Sequence, residues 1–111
     1  MSAGRPAPSS TVVVPGRVVA LHGCLGVHAA ADVRLVLADA VGAGDGDLVV
    51  DLSGVSALDA TGLGVLVGVH RRAGRVGRSL VLQDVSVPVA RVLFLTRLDK
   101  VLRMQQTAHL A

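Results

Sequence analysis

At 111 residues the chain is long enough for one hydrophobic core and too short for two ordinary domains. Half of it is apolar, yet Phe94 is its single aromatic residue, which leaves no set of exposed rings to stack on single-stranded nucleic acid. No apolar run approaches the ~20 residues of a membrane span, and a net charge of +3 is the one compositional hint of a nucleic-acid partner.

Residues 1–10, rich in Pro, Ser and Gly, read as a disordered tail ahead of a domain over 11–111. The tail has no apolar h-region and so does not read as a signal peptide. Thr11-Val12-Val13-Val14 and Val18-Val19-Ala20-Leu21 are strand-like and flank a Pro15-Gly16 turn, which predicts a hairpin. A helix is expected over about residues 27–41, with Val33, Val36, Leu37, Ala40 and Val41 on one face. A Gly/Asp-rich loop over 42–47 ends it. Leu48-Val49-Val50-Asp51-Leu52 then reads as a central buried strand. A second helix follows Asp59, with Leu63, Leu66, Val67, His70 and Ala73 on a shared face, closed by Gly74 and Gly77. Ser79-Leu80-Val81-Leu82-Gln83 is the next strand. Ser86 is a good N-cap for a third helix with Pro88 in its first turn, its inner face formed by Val89, Val92, Leu93 and Thr96. A last short strand is expected through Val101 and Leu102.

The order β-β-α-β-α-β-α-β implies an α/β fold with a mostly parallel central sheet of four to five strands, an edge hairpin and about three to four helices. In such sheets sites gather where the carboxyl ends of strands meet helix N-termini. The segment between Leu52 and the helix after Asp59 is therefore the prime candidate. Asp59 suits an N-cap, and Ala60 and Thr61 then fall in a first turn whose free N–H groups favour added negative charge. Gly62 and Gly64 each cost a helix about 1 kcal/mol relative to Ala. They imply either the close approach of a partner or tight packing of helix on sheet. The basic cluster Arg71, Arg72, Arg75 and Arg78 is read as a solvated helix end, where cations suit the dipole. Cys24 is alone, which fits a reducing compartment and a cytoplasmic location, and is read as a small apolar filler. His22, His28, His70 and His109 lack metal-ligand spacing, so neither a metal nor a cofactor is expected. Asp51, Asp59 and Thr61 come without a base poised near neutral pH, and there is no phosphate loop or nucleophile elbow, so the chain is not read as an enzyme.

The stretch DLSGVSALDATGLGVLVGVHRRA closely resembles the signature of the STAS domain, and more narrowly that of the stand-alone bacterial anti-sigma factor antagonists. The resemblance extends over nearly the whole chain from Thr11. VVALHGCLGVHAAADVRLVLADAV matches the first strand-loop-helix unit, and SVPVARVLFLTRLDKVL the C-terminal helix and strand. It implies a STAS fold and a regulatory module that binds an anti-sigma factor and so controls sigma-factor-dependent transcription. The implied partner is a serine kinase with a histidine-kinase-type ATP-binding fold, with a PP2C-type phosphatase as a second partner. The module is expected as a monomer or weak dimer, without nucleic acid or membrane. The alternative is an accessory or scaffold STAS domain in a transport or stress-sensing assembly. On the matching positions, the partner surface falls on Asp59, Ala60, Thr61, Gly62, Leu63 and Gly64, bordered by Cys24, Leu25 and Gly26.

Two departures from the family pattern alter that expectation. The family's kinase phosphorylates the residue directly after the junction Asp, usually Ser in a D-S-S/T-G pattern. Ala60 stands there and has no hydroxyl, while Thr61 holds the second hydroxyl position. Either Thr61 has become the acceptor or the switch is lost, and neighbouring helical residues point about 100° apart, which argues against simple replacement. The family's G-E-L-D pattern is here Gly23-Cys24-Leu25-Gly26, without either carboxylate, which alters the charge offered to a partner.

Overall fold

The computed structural model describes residues 9–106, within which five strands, three α-helices and one short 3-10 turn follow the expected order. The strands are β1 (Ser10–Val14), β2 (Val18–Leu25), β3 (Asp47–Leu58), β4 (Ser79–Gln83) and β5 (Arg103–Gln105). The helices are α1 (Ala30–Gly42), α2 (Ala60–Arg75) and α3 (Val87–Leu95). The strands form one sheet in the order β1-β2-β3-β4-β5, with β1 antiparallel to β2 and every other pairing parallel. The β1–β2 hairpin at the edge and the α/β class agree with the sequence reading. Of the tail expected over 1–10, residues 1–8 lie outside the described residues. Ser9 and Ser10 are already structured: the Ser9 carbonyl accepts from the His22 N–H at 2.8 Å, and Ser10 opens β1.

Strands taken in consecutive parallel order need a crossover helix between each pair. Right-handed crossovers in that order lay α1, α2 and α3 on the same face of the sheet. The core lies between that face and the helices, built from Val19, Leu21, Leu48, Val50, Leu52, Leu80 and Leu82 of the sheet with Val33, Leu37, Leu66 and Leu93 of the helices. Each such side chain contributes about 1.5–3 kcal/mol on burial, so an aliphatic core without aromatics suffices. The alternate residues Ala20, Asp51 and Gln83 face the other way, and Gln83 is bonded across strands to Gln105 at 2.9 Å.

Several expected boundaries shift, each for a local reason. β3 does not stop at Leu52 but runs to Leu58, pairing with β2 as far as Leu25↔Leu58 through two register irregularities. α1 starts at Ala30, not 27, because residues 26–29 close a turn in which the Ala29 N–H bonds the Gly26 carbonyl. The inner stripe of α2 is Gly62, Val65, Leu66, Val69 and Ala73, leaving Leu63, Val67 and His70 half-buried on its flank. Thr96 is not on the inner face of α3; it is exposed at the helix end, its hydroxyl bonding back to the Val92 carbonyl at 2.8 Å. The strand expected at Val101 and Leu102 is displaced to β5, because Leu98–Lys100 forms the 3-10 turn and Leu102 closes the core behind it.

Arg78 departs furthest from expectation. It is only 5% exposed, not part of a solvated helix end. Its guanidinium donates to the carbonyls of Ala40 and Val41 at the end of α1, at 2.8 and 2.9 Å, to Gly46 at 3.0 Å and to Gly16 in the hairpin turn. One planar fork thereby donates to the last carbonyls of α1, of which Ala40 also accepts the Ala43 N–H at 3.2 Å.

Candidate functional site

The junction is built where β2 and β3 end together. Asp59 leaves β3 in extended conformation (φ −103°, ψ −177°) and its carboxylate accepts the Gly62 N–H at 2.9 Å, so it caps α2 as its position in the sequence suggests. The Asp59 N–H in turn reaches the Leu25 carbonyl at 3.3 Å, tying the start of α2 to the end of β2. Residues 24–26 and 59–62 are thus brought together at one end of the sheet.

Gly62 sits so close to β2 that a Cβ there would fall 2.0 Å from the Leu25 carbonyl oxygen. At this position tight packing of helix on strand explains the glycine. A Cβ on Gly64 would meet nothing within 4 Å, so packing within the chain does not explain that one. Gly26 is buried against the cap, where a Cβ would lie 2.6 Å from Asp59 Oδ2. The nine site residues therefore divide in two. Leu25, Gly26 and Gly62 are buried and hold the apposition, whereas Cys24, Asp59, Ala60, Thr61 and Gly64 are exposed and Leu63 is half-buried. Cys24 is exposed, not the apolar filler the sequence suggested.

Ala60 and Thr61 occupy the first turn of α2, both open to solvent. Thr61 is the one hydroxyl in that turn, and it makes no hydrogen bond among the described residues. His22 Nε2 shares a 3.0 Å hydrogen bond with Thr11 Oγ1. Among the described residues no group of three His, Cys, Asp or Glu side chains comes together as a metal site, and His109 lies outside them. No helix among them is long and apolar enough to cross a membrane.

The family model of the STAS domain matches residues 9–111, nearly the entire sequence. The chain belongs to the STAS domain family. Its fold is similar to that of a Thermotoga maritima protein provisionally assigned as an anti-sigma factor antagonist, at 26% identity and a TM-score of 0.71, over 82% of this chain and 80% of the other. It is also similar to the anti-sigma factor antagonist SpoIIAA in its unphosphorylated form (22% identity, TM-score 0.70, 83% and 79% covered). A third similar structure is a sulfate transporter family protein from Wolinella succinogenes (23% identity, TM-score 0.69, 89% and 86% covered). Sequence reading placed Gly26 on the border of the partner surface and Arg78 on a solvated helix end, and so missed what each does at the junction end and the opposite end of the sheet of this STAS domain. Gly26 seats the cap, and Arg78 ties the loops below. A glycine and an arginine beside other arginines carry no local signal of either role.

Proposed function

We propose that this STAS domain is an anti-sigma factor antagonist or a close functional relative, a binding module and not an enzyme. Its partner surface is the exposed first turn of α2, Asp59, Ala60, Thr61, Leu63 and Gly64, with Cys24 beside it. The partner is an anti-sigma factor of the serine-kinase type with a histidine-kinase-type ATP-binding fold, and a PP2C-type phosphatase would reset the module. The observation that carries this reading is the capped, solvent-open start of α2, packed through Gly62 onto β2, in a chain of this family. Likeness to two proteins described as anti-sigma factor antagonists supports it.

Regulation differs from the usual pattern because Ala60 offers no acceptor. Thr61 Oγ1 is exposed and unpartnered, the one hydroxyl in the turn to which the γ-phosphoryl of ATP can pass, with ADP leaving. A phosphate there adds about −1.5 to −2 charges at a helix N-terminus, which accommodates them without refolding, while an acidic or close-fitting partner surface does not. Incubation with the anti-sigma kinase and ATP, followed by intact mass and site mapping, tests the switch. One phosphate on Thr61, with loss of the complex, makes Thr61 the switch. An unmodified protein that stays bound makes binding constitutive. No saturable complex with any such kinase overturns the reading.

The likeness to a sulfate transporter family protein supports a second reading, an accessory domain of a transport assembly. Neighbouring genes separate the two: a kinase or phosphatase gene supports the first, transporter subunits the second.

A further inference from the structure

α2 carries a second feature on the side that faces α1. Thr61, Gly64, Gly68, Arg72 and Arg75 recur at spacings of three and four or their sum, so they form one stripe from the start of the helix to its end. Arg34 and Ala38 of α1 face the far half of that stripe. With Val65, Gly68, Arg72 and Arg75 they line a groove of about 170 Å³.

Three observations bear on what the groove takes. The guanidiniums of Arg34, Arg72 and Arg75 have no hydrogen bond or ion pair among the described residues, unlike Arg78 with its carbonyls or Arg103 with Asp47. No carboxylate lies in the groove: Asp39 of α1 lines a separate depression against β1, and Asp32, seven residues earlier, shares that flank. Gly68 and Gly64 border open space, where a Cβ would meet nothing within 4 Å. Each costs α2 about 1 kcal/mol that no contact within the chain explains. Three unrelieved cations over a bare backbone floor are complementary to a close-packed, negatively charged segment. The volume is below the roughly 300–1,000 Å³ of small-molecule pockets and suits one or two acidic side chains.

We propose that the α1–α2 groove docks an acidic segment of a protein partner, whose backbone runs over Gly64 and Gly68 and whose carboxylates sit among Arg34, Arg72 and Arg75. The proposal deepens the reading of the α2 start as a partner surface and rests on it. Thr61 and Arg72 are about 16 Å apart along the helix, so a partner segment of about eleven helical residues spans both. The arginines then steer the approach and the junction fixes the register.

The test is a titration of the ¹⁵N-labelled protein with a capped helical peptide of Ala and Glu, the Glu residues four apart. A peptide with Gln for Glu and a short DNA duplex serve as comparisons. The acidic peptide is expected to shift the amides of Gly64, Gly68, Arg72 and Arg75, with affinity falling between about 50 and 300 mM salt. The double variant Arg72→Glu/Arg75→Glu is expected to bind it at least about tenfold more weakly. Arg71→Glu, outside the groove on the same helix, is expected to bind as the parent does, and far-UV circular dichroism of each variant establishes its fold. Equal binding of the Gln peptide, equal loss in Arg71→Glu, tighter binding of the duplex at these residues, or no saturable shift overturns the proposal. The titration needs no anti-sigma factor, so failure of the groove and failure of the proposed function are read separately. A kinase complex that ignores the Arg72/Arg75 charge reversal overturns the groove alone. A groove that binds the acidic peptide in a chain that binds no such kinase overturns the functional reading and removes the occupant it supplies.

Discussion

Gly62 and Gly64 stand two positions apart in one helix and meet opposite surroundings, which makes them a matched test of the junction. Gly62→Ala would set its methyl on the Leu25 carbonyl, a backbone atom that cannot yield without parting α2 from β2. A loss of about 2 kcal/mol or more is expected, seen as a lower urea midpoint by circular dichroism. Gly64→Ala meets open space and removes backbone freedom from the unfolded chain, so stability is expected to rise by about 0.5–1 kcal/mol in the same measurement. Asp59→Ala forfeits the cap to the Gly62 N–H, a loss of about 1 kcal/mol that Asp59→Asn largely avoids. The two positions at which this chain lacks the carboxylates of the G-E-L-D pattern stand in different surroundings. Gly26→Asp would displace the Asp59 carboxylate and set a second one beside it, costing about 1 kcal/mol through the lost cap. Cys24→Glu, at an exposed position, is expected to change stability by less than about 0.5 kcal/mol.

At the scale of elements, α1 depends on a residue far from it in sequence. Arg78 holds the Ala40 and Val41 carbonyls together with Gly46 and Gly16, joining the end of α1, the loop before β3 and the hairpin turn. Arg78→Met removes the guanidinium donors from those carbonyls, leaving Ala40 only its bond from the Ala43 N–H, and is expected to cost about 3 kcal/mol or more, with early exchange of the α1 and β1–β2 amides in hydrogen-exchange experiments. Arg78→Lys is expected to recover little of this, because an ammonium cannot reproduce the planar fork. The sequence shows the elements whose pattern is made by their own side chains: the Val/Leu runs of β2, β3 and β4 and the capped start of α2. It hides those made by distant partners. The outer half of β3, with Ser53, Gly54, Ser56 and Ala57, has little strand propensity and is ordered by pairing with β2. The polar β5 is recruited by the edge of β4. The inner stripe of α2 was displaced because its first member is Gly62, a buried residue without hydropathy. At the site, the approach of residues 24–26 to Asp59 follows from the topology, but which of the nine side chains remain exposed does not.

At the scale of the whole molecule, the described residues are held by aliphatic packing on one face of the sheet. The Arg103–Asp47 ion pair is exposed on both sides, 61% and 52%, and such pairs contribute about 0–1 kcal/mol. Added salt screens that pair but also relieves repulsion among Arg34, Arg72 and Arg75. The urea midpoint is therefore expected not to fall between about 50 and 500 mM sodium chloride. A marked fall would mean that ion pairs hold the fold together. The exposed thiol at the junction has a practical outcome of another kind. Cys24 is the sole cysteine in the chain and stands open to reagent at the end of β2, within the candidate partner surface. A maleimide dye should couple there at one per molecule without any engineered site, giving an optical reporter of docking in a protein with neither Trp nor Tyr of its own.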